Sequence, residues 1–358
     1  MVRIGAIGYG DIAQRSHFPE LLQLRDRARL VAIAGRNEAR MAECARRFGI
    51  PRYYTNPADL LASDEVDAVM VLTPPGAHAE WAVRAVEAGK HVLLEKPMVR
   101  TMDEAHRILA AVEKRPVVFF PLPYVASAAY DTLRELIAAG AIGRVTSIEC
   151  NKSHRGPTHA DWFYRKEIAG GGVLFDLGIY AFGAIAYVFG PATHVSALCT
   201  RLFETRTMDD GRVIRPDVED SALVSLRLHD GTAAVINANF NGYLTHHDTR
   251  SRMIVFGREG MIHFGVPGAG MYIHRVDDRY DDLPVDPEPV SFDGYLCRRV
   301  IVKKEGRTAS ILEHFLHLIE RGDTSTLPLK QQIHVMEIML TAYECGGLDD
   351  ARRLQTTF

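Results

Sequence analysis

A short apolar run, Val2-Arg3-Ile4-Gly5-Ala6-Ile7, leads straight into Gly8-Tyr9-Gly10-Asp11-Ile12-Ala13. A strand that ends in this spacing and opens a helix leaves few choices of fold. The first glycine permits a tight turn, and the second lets the backbone approach a pyrophosphate. The following helix N-terminus supplies N–H donors and a favourable dipole. A bare Gly-x-Gly punctuates many turns, but this one sits between a strand and a helix, where a dinucleotide fingerprint belongs. Gly8, Gly10, Asp11, Ile12 and Ala13 are therefore candidate cofactor contacts.

The next hundred residues keep to that plan. Apolar runs at Arg3–Gly8, Leu30–Gly35, Ala68–Thr73, His91–Glu95 and Val117–Phe120 are crowded with Val, Ile and Leu without alternation. That texture belongs to parallel strands covered on both faces. Helical stretches separate them. In 103–114, Ala105, Ile108, Leu109 and Val112 recur at helical spacing behind a Thr101/Glu104 capping box, and 80–88 stops at Gly89. After about residue 122 the pattern changes to strand-like runs at Val145–Asn151, His194–Phe203, Ser221–Leu228, Thr232–Phe240, Met253–Gly257 and Met261–Phe264. Several alternate apolar and polar, and Asp230-Gly231 marks a hairpin. The acidic, proline-bearing stretch 277–289 reads as a loop, and helical stretches near 308–321 and 329–345 close the chain. We therefore expect an α/β Rossmann domain over 1–122, and over 123–358 an α+β domain with a large, mainly antiparallel open sheet. The terminal helices can pack back towards the domain interface.

At 358 residues, 47% hydrophobic and 24% charged, with net charge −3, the composition is that of a soluble globular protein. Charges of both signs are interspersed, which argues against nucleic acid and membrane as partners. The apolar window 173–190 carries Asp176 and is broken by Gly178 and Gly183, so it reads as a buried helix. The start of the chain lacks the pattern of a secretory leader. Five scattered cysteines without a C-x-x-C point to a reducing cytoplasm rather than to disulfides or zinc. His246-His247-Asp248 is the one metal-like cluster. On a strand its imidazoles would face opposite ways, so no metal is expected.

The remaining candidates lie at strand ends. The second strand ends Ile33-Ala34-Gly35-Arg36-Asn37, without the acid that hydrogen-bonds the ribose 2′-OH of NAD. Arg36 can grip a 2′-phosphate, so NADP is preferred to NAD, with Glu38 as the residue that argues the other way. Thr73, Pro74 and His78 fall at the topological switch point, and Glu95-Lys96-Pro97 ends the next strand.

With the glycine-rich run Gly170-Gly171-Gly172-Val173-Leu174-Phe175-Asp176-Leu177-Gly178-Ile179-Tyr180, the Glu95-Lys96-Pro97 tripeptide makes the whole chain resemble the glucose–fructose oxidoreductase/inositol dehydrogenase/rhizopine-catabolism (Gfo/Idh/MocA) family. The resemblance implies a catalytic Lys96 and an acid/base residue at 180. Many members carry histidine there and an acid or amide three positions on. Tyr180 and Gly183 place this chain in the family's tyrosine branch. Asp176 and Tyr180 are spaced to share a helix face. A free tyrosine titrates near about 10, and a neighbouring ammonium such as Lys96 favours its phenolate. Without the resemblance, Tyr180 reads as a core aromatic and Asp176 as a helix N-cap. The cluster 154–165 contributes His154, His159, Trp162 and Tyr164 as candidate substrate contacts, since aromatic faces stack on sugar C–H surfaces.

The expected activity is hydride transfer between NADP(H) or NAD(H) and a secondary alcohol or ketone of a sugar, cyclitol or sugar derivative. A lyase or glycosidase with transient hydride transfer, and a dinucleotide-sensing regulator, are the alternatives. A homo-oligomer, dimer or tetramer, is expected through the open face of the C-terminal sheet, which carries Ala233, Val235, Asn237 and Asn239.

Overall fold

A computed structural model of the chain describes all residues except 124–127, 243–250, 266–269, 286, 293–294, 301 and 303–309. The cluster His246-His247-Asp248 lies outside the described residues. The chain forms two compact units. The first comprises Met1–Tyr124, Glu167–Gly170 and Ala309–Met336, and the second Val125–Lys166, Gly171–Thr308 and Glu337–Phe358.

The first unit is built on six parallel strands: β1 (Val2–Ile7), β2 (Ala28–Ala34), β3 (Arg52–Tyr54), β4 (Ala68–Val71), β5 (His91–Leu94) and β6 (Phe119–Pro121). Their order, β3-β2-β1-β4-β5-β6, is that of a dinucleotide-binding Rossmann sheet, with the switch point between β1 and β4. The strands are apolar throughout because both faces are covered: Ile4, Ala6, Ile33, Met70 and Leu93 are all buried. Helix Met102–Lys114 starts as its capping box requires, with the Thr101 hydroxyl accepting the Glu104 N–H at 3.2 Å.

One element of this unit comes from far along the chain. Helix Ile311–Arg321 is capped by Ser310 and buries Leu312, Phe315 and Leu316 in the same core as Phe120. The Phe315 and Phe120 rings stack at 6.1 Å. Arg27 clamps the helix through a bidentate pair with Glu320, at 3.0 and 2.7 Å. The single boundary expected at 122/123 is thus only the first of several crossings.

The second unit is a ten-stranded sheet. Its strands are β7 (Val145–Ser153), β8 (Ala192–Thr200), β11 (Ser221–Leu228), β12 (Ala233–Asn239), β13 (Ser251–Gly257), β14 (Gly260–Phe264), β15 (Met271–Arg275), β16 (Pro287–Phe292), β17 (Tyr295–Val300) and β18 (Arg352–Arg353). A separate short ribbon pairs β9 (Arg206–Thr207) with β10 (Val213–Ile214). All pairings in the large sheet are antiparallel except β7 with β12. Alternation sorts the two faces. Ala234, Ile236 and Ala238 are fully buried, and the helical stretch that contains Ile179–Phe189 packs against β7 and β12. That helix buries eight of its eleven residues, as a core helix does. The opposite face leaves Leu198, Leu223 and Val235 38–47% exposed, with Leu198 and Leu223 directly paired across strands. The stretch 277–289 is not all loop, because β16 begins at Pro287. It is an edge strand, where proline is tolerated.

Candidate functional site

In the first unit the two fingerprint glycines have different reasons to be glycine. Gly8 has φ +99, and a Cβ there would lie 2.6 Å from the Leu72 carbonyl oxygen, so the fold itself demands it. Around Gly10 no atom comes within 4 Å of a Cβ. Nothing among the described residues requires its bareness, whereas close approach of a pyrophosphate does. The residues therefore fit a dinucleotide.

A continuous helix follows from Asp11, widened into a π-type turn at Ala13–His17, where the Phe18 N–H reaches back to the Ala13 carbonyl. Asp11 pairs with Arg15 at 2.7 Å, Ile12 is exposed and Ala13 is buried. Tyr9 lies over Gly35, where a Cβ would come within 2.3 Å of the ring, and its hydroxyl donates to the Asn37 carbonyl at 3.1 Å. Arg36 is exposed beside it, and Asn37 caps the next helix through the Arg40 N–H.

The switch-point residues divide by burial. Pro74 is exposed and Thr73 half-buried. His78, expected as a cofactor contact, is fully buried. Its ring nitrogens face the Thr73 carbonyl at 2.7 Å and the Pro97 carbonyl at 2.8 Å, tying the switch-point loop to the end of β5. Burial pushes its pKa down against those carbonyls.

Glu95 also turns inward. One oxygen meets His17 Nε2 at 2.8 Å, and the other accepts the Lys96 N–H at 2.7 Å. Burial alone would raise its pKa, but the hydrogen bond and charge of His17, together with the Lys96 charge, hold it below the ordinary carboxylate range. Glu95 is thus an internal brace for Lys96, which stands half-buried at the carboxyl end of β5. His17 had no sequence signal of its own.

In the second unit the glycine run is a matter of close packing. A Cβ on Gly171 would lie 2.2 Å from the Tyr343 hydroxyl, and one on Gly172 would lie 1.9 Å from the Glu219 carbonyl oxygen. The Glu219 side chain accepts the Gly172 N–H at 3.0 Å, the Leu174 N–H at 3.0 Å and the Tyr343 hydroxyl at 2.7 Å. It caps the helix that follows, which leaves no capping role for Asp176. That helix also contains a π-type turn, Leu174–Gly178.

Asp176 lies within the π-type turn and its side chain is 13% exposed, with Oδ2 3.3 Å from His154 Nε2. Tyr180 is 38% exposed, while Ile179, Ala181, Phe182 and Gly183 around it are buried. It is not a core aromatic. Glu219 and Tyr343 were missed because they reach the glycine run from distant segments without a motif.

The 154–165 cluster separates likewise. Trp162 stacks on Phe163 at 3.8 Å, and exposed His159 meets the same ring edge-on at 5.4 Å. His154 stacks on Phe240 at 5.3 Å. Tyr164, expected as a substrate contact, is 1% exposed and wedged between Phe240 and the Arg206 guanidinium, where it supports the loop. Among the described residues, no cluster of three or more His, Cys, Asp or Glu could hold a metal.

The model of an oxidoreductase family with an NAD-binding Rossmann fold matches residues 2–122, and that of a GFO/IDH/MocA C-terminal domain matches 130–263. The chain belongs to the GFO/IDH/MocA family. As a member of that family it is an NAD(P)-dependent oxidoreductase. Among its relatives is a dTDP-3,4-didehydro-2,6-dideoxy-alpha-D-glucose 3-reductase of Streptomyces antibioticus, 29% identical over 90% of this chain and 94% of the relative. Another is a D-xylose 1-dehydrogenase (NADP(+)) of Haloferax volcanii, 28% identical over 95% and 96%. Among solved structures, levoglucosan dehydrogenase in complex with NADH and L-sorbose superposes with a TM-score of 0.85 at 21% identity, covering 99% of both chains.

The Glu95 brace makes a testable demand. A depressed folded-state pKa stabilises the fold above the unfolded value, about 4.3, and that stability is lost as pH falls through the folded value. We expect Glu95→Gln to unfold more readily in urea near neutral pH. Its stability should then fall less steeply than wild type below about pH 4. Parallel acid limbs for the two proteins would exclude the brace.

Proposed function

We propose that this enzyme moves a hydride between nicotinamide and a secondary alcohol or ketone of a sugar, cyclitol or sugar derivative. One observation carries the reading: Tyr180 is an exposed phenol on a helix that is otherwise packed away, beside a partly accessible Asp176. The relatives' sugar substrates supply the class. When bound, the nicotinamide supplies the hydride acceptor or donor. Tyr180 exchanges the hydroxyl proton of the substrate, and Lys96 at the end of β5 is a second candidate for the chemistry. Asp176 accepts a substrate hydroxyl, while Trp162 and His159 line the substrate's face.

NADP(H) is the preferred dinucleotide in this reading, because Arg36 stands exposed after β2 where an acid would repel the 2′-phosphate. The half-apolar open face of the ten-stranded sheet, with Leu198, Leu223 and Val235, suits a two-fold interface between copies of the chain. A reducing cytoplasm fits its five cysteines.

A panel of sugars and keto-sugars, followed by reduced-nicotinamide absorbance, tests the reading. Net turnover is expected, and Tyr180→Phe should lose roughly 10²–10⁴-fold in kcat while folding and binding dinucleotide normally. Product formation without net change in absorbance would instead identify a lyase or glycosidase that regenerates its cofactor. A Tyr180→Phe enzyme within a few-fold of wild type would remove Tyr180 from the chemistry.

Titration with the two dinucleotides tests the specificity. NADPH should bind more tightly than NADH, and Arg36→Ala should narrow the gap. Equal or tighter NADH binding by the wild type would refute it.

A further inference from the structure

The turn at His154–Gly156 is built to fix one imidazole in one orientation. Gly156 has φ +84, and a Cβ there would lie 2.4 Å from the Tyr164 hydroxyl and 3.0 Å from Arg206 Nη1. Only glycine fits, and its N–H donates to His154 Nδ1 at 2.8 Å. From below, Arg206 Nη1 donates to the Arg155 carbonyl at 2.9 Å, and this buried guanidinium is packed among Tyr164, Phe203 and Phe240. The Phe240 ring lies against the imidazole, with only 14° between the two planes. The position of His154 is thus set by a backbone N–H and a ring stack.

The consequence lies in the tautomer. A ring nitrogen that accepts a hydrogen bond carries no proton, so Nδ1 is bare and Nε2 bears the hydrogen. Nε2 faces Asp176 Oδ2 at 3.3 Å.

We infer that His154 is a positioning residue: an imidazole whose Nδ1 is held by the Gly156 N–H and whose Nε2–H holds the Asp176 carboxylate in one orientation. It is therefore not the proton carrier. This rests on the reading of Asp176 as a substrate-facing group, and it sharpens that reading. With tyrosine at 180, the imidazole that meets Asp176 comes from a separate element, the turn after β7. Both of its nitrogens are committed to the protein, which leaves Tyr180 as the group on that helix that exchanges the proton.

Two measurements on the full-length protein test this. ¹⁵N NMR of histidine-labelled protein near neutral pH should show His154, identified by its loss in His154→Gln, as the Nε2–H tautomer. The resonance should move in Asp176→Asn. An Nδ1–H tautomer, an imidazolium, or no response to Asp176→Asn would overturn the inference. The second is a double-mutant cycle in kcat. His154→Phe, which keeps a ring on Phe240, should lose roughly 10- to 100-fold, with His154→Gln retaining more because its amide can still donate. In the Asp176→Asn background the same substitution should change kcat by no more than about threefold, since the two act as one unit. Multiplicative losses would mean that His154 acts on the substrate directly. A wild type without turnover on any substrate would count against the proposed function, and the NMR result would still decide the role of His154.

Discussion

Glu219 is a carboxylate with almost no contact with water, and the start of one helix depends on it. The first turn of any helix leaves backbone N–H groups without partners, and burying them bare costs about 1–3 kcal/mol each. Here the Gly172 and Leu174 N–H groups and the Tyr343 hydroxyl all converge on that carboxylate. The anion also sits at the positive end of the helix dipole. Burial pushes the pKa of Glu219 up, and the three donors work against that shift. The close approach is what requires the bare glycines, and it fixes the helix three residues before Asp176 and seven before Tyr180.

Glu95 plays the corresponding part in the first unit. It is buried, held by His17 and bonded to the backbone of the residue that carries the candidate ammonium. In both units the π-type turn falls within or next to a chemistry-bearing motif, at Ala13–His17 after the fingerprint and at Leu174–Gly178 around Asp176. Such turns add a residue to one helical turn and change which side chains share a face, and they are frequent at functional sites. Each turn lies close to one of the two carboxylates: His17 ends the first, and Leu174 begins the second.

The Rossmann sheet was legible because strands covered on both faces need unbroken Val, Ile and Leu. Its edge strand β3 was not, since Arg52–Tyr54 is short and largely exposed. The packing surface of Ile311–Arg321 in the first unit has no local signature, although a helix was expected there. An amphipathic helix fits any apolar surface, and what selects this one is Phe120 and Arg27, far away in sequence. The start of strand β16, at Pro287, was hidden in an acidic, proline-bearing stretch that reads as a loop. Among the candidate residues, the motifs singled out Lys96, Asp176 and Tyr180, but not their environment. The apolar neighbours of Tyr180 suggested a core residue, while the structure turns its ring outward. His78 was singled out by its place at the switch point and Tyr164 by its aromatic ring, and neither signal shows that both side chains are buried.

The central claim is that the Glu219 carboxylate holds the start of the helix that bears Asp176 and Tyr180. Hydrogen exchange resolved to single amides tests this most directly, comparing wild type with Glu219→Gln. The account predicts that the Gly172 and Leu174 amides are protected in the wild type and lose much of that protection in the variant, while amides of β11 and β12 exchange as before. Unchanged protection at Gly172 and Leu174 would contradict it.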